Sequence, residues 1–147
     1  MAVIRCTRTE LTAALSVVDL PEGALVWVTD PTTGDRWEDV LSELTDAFDA
    51  SQQAAKAGGP IVYVVDSDDL LGRNGPGRAM VACGLLSAAR TTAIESRKSA
   101  VPVNVIALED VTAPDTVARW VASLSQPHGP LGELIRFGGD HLGKALP

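Results

Sequence analysis

Apolar residues along this chain switch repeatedly between a two-residue period and one of about 3.6 residues. That switching constrains the fold more than any other feature. Short runs rich in aliphatic and β-branched residues fall at positions 2–6, 24–29, 61–65, 101–107 and 133–137. Helical patterns lie between them. A strand that feeds a helix and then another strand is the unit of a parallel sheet covered by helices. The expected architecture is therefore α/β: a Rossmann-like three-layer sandwich of about five parallel strands with helices on both faces.

The punctuation supports these boundaries. Thr7-Arg8-Thr9-Glu10 reads as a capping box opening a short helix with Leu11, Ala14, Leu15 and Val18 on one face. Pro21-Glu22-Gly23 ends it, and Asp30-Pro31-Thr32-Thr33-Gly34 is a loop after the second strand. From 35 to 56, Trp37, Val40, Leu41, Leu44, Ala47, Phe48 and Ser51 follow the spacing of one helix face. Gly58-Gly59-Pro60 stops that helix. The run Ile61-Val62-Tyr63-Val64-Val65 is apolar enough to be buried on both sides. A loop over 66–77 leads into a second long helix, about 78–97. Thr112-Ala113-Pro114-Asp115 opens a further helix carrying Val117, Trp120, Val121 and Leu124. No repeat interrupts the pattern, so all 147 residues are expected to form one domain.

Composition narrows the function classes. A hydrophobic share of 46% supports a real core, while an aromatic share of 4% means that aliphatic residues must build it. The net charge of −7 repels phosphate backbones and anionic lipid heads, so neither nucleic acid nor membrane is an expected partner. Cys6 and Cys83 stand far apart, as reduced thiols would in a cytoplasmic protein. No apolar run reaches the length of a membrane span, and the first residues lack a signal-peptide core.

From Trp37 onward the order of features resembles the short-chain dehydrogenase/reductase family. The pieces are Trp37-Glu38-Asp39-Val40, Gly59-Pro60-Ile61-Val62-Tyr63-Val64-Val65, the helix after Gly77, Val103-Asn104-Val105-Ile106-Ala107 and Phe137-Gly138-Gly139. The resemblance implies hydride transfer by a serine, a tyrosine and a lysine four residues after the tyrosine. Here the serine position falls at Asp66 or Ser67, the tyrosine position at Arg78 or Ala79, and the lysine position at Ala82 or Cys83. The one tyrosine, Tyr63, lies inside a strand. The asparagine that the family carries in the tryptophan-led helix is missing near Glu43-Leu44, and Leu108-Glu109 replaces the Pro-Gly after the fourth strand. The chain is therefore expected to lack catalytic residues, with Asp66, Ser67, Arg78 and Ala82 as degenerate positions.

The cofactor half departs as well. A dinucleotide needs a glycine-rich turn between the first strand and its helix. This turn, Cys6-Thr7-Arg8-Thr9-Glu10, has no glycine and carries a carboxylate. Two further strand–helix units of the family have no room before Trp27, so the fold is expected to be truncated at the cofactor-binding half. The Val3 strand should then lie directly beside the Trp27 strand, and no cofactor is expected.

Other signals read blandly. Gly72-Arg73-Asn74-Gly75-Pro76-Gly77 has the position of a phosphate loop but not its spacing, and reads as an ordinary flexible loop. Asp66-Ser67-Asp68-Asp69 offers carboxylates for Mg²⁺, yet reads first as a solvated strand end. His128 and His141 have no ligand-like spacing, so no metal is expected. Ser67 lacks the frame of a hydrolase nucleophile.

The two long helices point to assembly. The second carries Ala79, Ala82, Cys83, Gly84, Ala88, Ala89 and Ala93, which allow close approach, while Met80, Val81, Leu85 and Leu86 nearly surround it. A helix apolar on more than one side needs a second covering surface. In the resembling family these helices pack across a dimer axis. The expected interface is Trp37, Leu41, Leu44, Phe48, Ala79, Met80, Cys83 and Leu86. The favoured expectation is a non-catalytic subunit forming a homodimer, or a hetero-oligomer with a full-length short-chain dehydrogenase. Rivals are a residual oxidoreductase or acyl/carbonyl-binding protein acting through Asp66, Ser67 or Arg78, and an unrelated flavodoxin-like interaction module.

Overall fold

Every residue of the three central strands is buried, as apolar runs covered on both faces of a parallel sheet require. The computed structural model describes residues 1–99 and 101–138. His141 and Gly139, named above, lie outside the described residues. In chain order the elements are β1 (Val3–Arg5), α1 (Thr9–Ser16), β2 (Leu25–Val28), α2 (Trp37–Lys56), β3 (Ile61–Asp66), α3 (Ser67–Leu70), α4 (Pro76–Glu95), β4 (Val103–Leu108), α5 (Pro114–Leu124) and β5 (Leu134–Arg136). A 3₁₀ turn, Ser96–Lys98, extends α4.

The strands form one parallel sheet in the order β1-β2-β3-β4-β5. The expected neighbour of the Trp27 strand is in place, with Val3 opposite Leu25 and Arg5 opposite Trp27. The last strand lies beyond β4, pairing Val105 with Leu134, on the side that the dehydrogenase resemblance implies. Alternation along each strand divides the core. Leu25, Trp27, Ile61, Tyr63, Val103 and Val105 meet α2 and α4. Val26, Val28, Val62, Val64, Ile106 and Leu108 meet α1 and α5 on the other face. Each fully buried aliphatic side chain contributes roughly 1.5–3 kcal/mol of transfer free energy, so the helix-covered centre holds the sheet.

The connections carry an unusual feature. All four step through the sheet in one direction between parallel strands, yet α1 and α5 lie on one face and α2 and α4 on the other. Helices on opposite faces give such crossovers opposite hands. Two of the four therefore take the left-handed form, against the strong right-handed preference of this unit. The strand order never reverses among the described residues, so this sheet has no switch point of the kind that receives dinucleotides.

Three local expectations need correction. The capping box at Thr7 does not form: Arg8 is the extended cap residue, with no side-chain cap, because Thr7 sits one position too early. Thr12 instead returns its hydroxyl to the Arg8 carbonyl at 2.9 Å. The region 66–77 is not one loop, since α3 forms its first turn. It is also not loose. Asn74 donates to Asp69 at 2.8 Å, Arg73 to Asp68 at 2.9 Å, and the Gly77 N–H to the Asp35 carboxylate at 2.8 Å.

Gly77 marks where the loop after β2 meets the start of α4. A Cβ placed there would lie inside the van der Waals limit of the Gly34 carbonyl oxygen and 2.9 Å from the Asp35 Cα. Backbone cannot swing aside as a side chain can. Gly77→Ala is expected to lower the unfolding free energy by about 2–3 kcal/mol, read as an earlier urea midpoint. An unchanged midpoint would show that the two segments do not meet this closely.

Candidate functional site

The carboxyl ends of parallel strands are where α/β sheets present chemistry, because the loops diverge there and helices begin. Asp66 is the last residue of β3, opposite Leu108 at the end of β4. Its Oδ2 accepts from Arg8 at 2.7 Å and from Arg78 at 2.8 Å. Arg8 belongs to the turn after β1, and Arg78 to the first turn of α4. One carboxylate oxygen thus joins three segments remote in sequence. Arg78 also reaches back to Asp69 in α3 at 3.0 Å, where Asn74 supplies a further hydrogen bond.

These groups are not solvated. Asp66 is 7% exposed, Ser67 3% and Asp69 1%, which overturns the reading of this stretch as a solvated strand end. The short helix α3 turns Ser67 and Asp69 inward. Burial raises the pKa of Asp69 above the ordinary aspartate value; the Asn74 hydrogen bond and Arg78 offset this only in part. Burial also works against the charge of Arg8. The Asp66 hydrogen bond, with Cys6 and Asp110 nearby, outweighs that and leaves its pKa raised. Three buried polar atoms here have no hydrogen-bond partner among the described residues: Arg8 Nε, Asp66 Oδ1 and Ser67 Oγ.

Above this cluster opens a cleft of about 650 Å³. Arg8, Asp66, Asp68, Arg73 and Arg78 line it, together with Leu108, Glu109, Asp110 and Val111 from the end of β4 and the residues after it. Three guanidinium groups face the cleft, each already paired with a carboxylate. Among the described residues, no three acidic, histidine or cysteine groups are arranged to hold a metal ion.

A second polar centre lies beneath α2. Glu43 is buried and accepts from Arg5 through both oxygens at 3.4 Å, from the Trp27 indole at 3.2 Å and from Thr33 at 3.3 Å. Arg5 lies over the Trp27 ring at 4.7 Å, covering the flank of the sheet beside α2. The asparagine expected of the resembling family near this position is thus a glutamate that bridges β1, β2 and the following loop. The sequence marked the position as a departure but gave no sign of the hub: Glu43 shares the spacing of the buried face with Val40 and Ala47, but its charge suggests the surface.

The remaining predicted positions separate. Ala82 is buried in the core and points away from the cleft's charges, while Cys83 is exposed on the outside of α4. Tyr63 is sealed in the core, its hydroxyl 2.7 Å from Ser51; burial raises its pKa, with the Ser51 bond opposing. Asn104 is structural: its amide donates to the Pro130 carbonyl and accepts from the Glu133 N–H, setting the entry to β5. His128 is exposed in a turn with φ of 64°.

The helix residues split into two stripes. Val40, Glu43, Ala47, Ser51 and Ala54 face the sheet. Trp37 (61%), Leu41 (49%) and Phe48 (63%) stand exposed, with Met80 (42%) on α4 alongside. Leu44 is half-buried, resting its methyl groups against Gly84, and Ala79 is also half-buried. Leu86, expected at an interface, is buried in this chain's own core because it falls on the sheet-facing side of α4.

A nicotinamide dinucleotide, the group associated with this kind of fold, does not fit these residues. The turn after β1 holds an arginine engaged by Asp66 where backbone N–H groups would have to meet a pyrophosphate. The Gly77 N–H at the start of α4 is already taken by Asp35. Glu109 and Asp110, which line the same cleft, add negative charge.

Solved structures show the same fold. The chain overlays a short-chain dehydrogenase/reductase family oxidoreductase from Burkholderia thailandensis at TM-score 0.64 and 20% identity, covering 87% of this chain and 67% of that one. Acetoin dehydrogenase from Enterobacter cloacae matches at TM-score 0.61 and 18% identity, covering 77% and 61%. A short-chain dehydrogenase/reductase from Serratia marcescens matches at 0.57 and 19%, covering 78% and 63%. The chain thus has the short-chain dehydrogenase/reductase fold and spans a little under two thirds of the length of most of these structures. No sequence-family profile matches it, and no curated protein sequence does.

The raised pKa of Asp69 sets a pH signature. A carboxyl harder to ionise when folded binds more protons folded than unfolded. Its contribution is full below the unfolded pKa and is lost as pH rises through the folded one. Relative to Asp69→Asn, the native chain is expected to lose unfolding free energy as pH rises from about 3.9, the ordinary aspartate value. Urea titrations across that window check this; a difference that grew with pH would contradict it.

Proposed function

We propose that this chain is a non-catalytic subunit with a short-chain dehydrogenase fold, which assembles through the outer face of α2 and α4 with a second copy or with an active reductase. The observation that carries this reading is the exposed stripe of Trp37, Leu41, Phe48 and Met80. Large apolar side chains in a row along two adjoining helices are costly to leave in water and mark an interaction surface. Ala79, Leu44 and Cys83 border the stripe and complete the face.

A tyrosine–lysine pair is missing from the positions that the resemblance assigns to it. At the positions that the resemblance assigns to tyrosine and lysine stand Arg78, bound by two carboxylates, and Ala82, buried in the core. A paired guanidinium stays protonated and cannot exchange a proton with an alkoxide near neutral pH. Hydride transfer therefore belongs to the partner in a mixed assembly, and this chain needs no cofactor of its own. A reducing, cytoplasmic setting agrees with two free thiols. No helix among the described residues is long and apolar enough to cross a membrane.

The alternative in which the cleft takes an acyl or carbonyl substrate has less support, since charged groups dominate its lining. Leu41→Glu with Phe48→Glu tests the assembly reading, because both side chains are exposed and their loss leaves the core intact. The native chain should sediment as a dimer, or co-purify at fixed stoichiometry with a short-chain dehydrogenase. The double variant should sediment as a folded monomer with an unchanged far-UV spectrum. A native chain that is monomeric and carries no dehydrogenase, or a double variant that assembles as before, would overturn it.

A further inference from the structure

We draw no further inference here: the strongest candidate, the apolar hollow of about 180 Å³ beside the edge strand β1, lined by Val3, Leu25, Ala50, Ala54 and Ala57, carries nothing, because nothing in the structure shows what covers it.

Discussion

Asp66 Oδ2 accepts from Arg8 and Arg78 at 2.7 and 2.8 Å, and through that oxygen the turn after β1, the end of β3 and the start of α4 are tied together. These segments are far apart in sequence. Burying charges is costly unless each finds a partner, and removing one member of such a group typically costs about 3–5 kcal/mol. Arg78 continues the chain of contacts to Asp69, and Asn74 and Gly77 then fasten the loop before α4. A cleft wall that could have been mobile is in this way made rigid.

The topology makes such a tie necessary. With strands in simple order and helices on both faces, two crossovers take the disfavoured hand. α1 is held by packing of Leu11, Ala14 and Leu15 on the sheet and α5, and by the Arg8–Asp66 contact at its start. β1 is also short and lies at the sheet's edge, where Arg5 stacks on Trp27 and pairs with Glu43. Two ionic hubs, one beneath α2 and one at the carboxyl ends of the strands, therefore hold the first strand and the turn that follows it. The proposed partner surface lies elsewhere, on α2 and α4, which are anchored by the aliphatic core and can present Trp37 and Phe48 without loss of fold.

Much of this was legible in the residues. The switch between two-residue and helical periods gave the five strands and both long helices, and the lack of room before Trp27 gave the pairing of β1 with β2. Less legible was anything that depends on charges meeting across long separations. Asp66, Ser67 and Asp69 sit in a polar run that reads as solvated; only the turn of α3 and the approach of Arg8, 58 residues away, bury them. Glu43 is similar: its spacing puts it on the buried face, but a carboxylate there reads as misplaced until Arg5 and Trp27 arrive from the sheet to pair with it. Leu86 shows the converse: apolar composition on several sides of a helix does not say which side meets the chain's own sheet.

The central claim is that the Arg8–Asp66 contact, and not generic packing, holds the first strand–helix unit to the sheet. A double-mutant cycle of Arg8→Ala and Asp66→Ala measured by urea unfolding tests it most directly. The account predicts a coupling energy of about 2 kcal/mol between the two positions. Single variants whose effects simply add would contradict it, and would leave α1 held by hydrophobic contact with the sheet and α5.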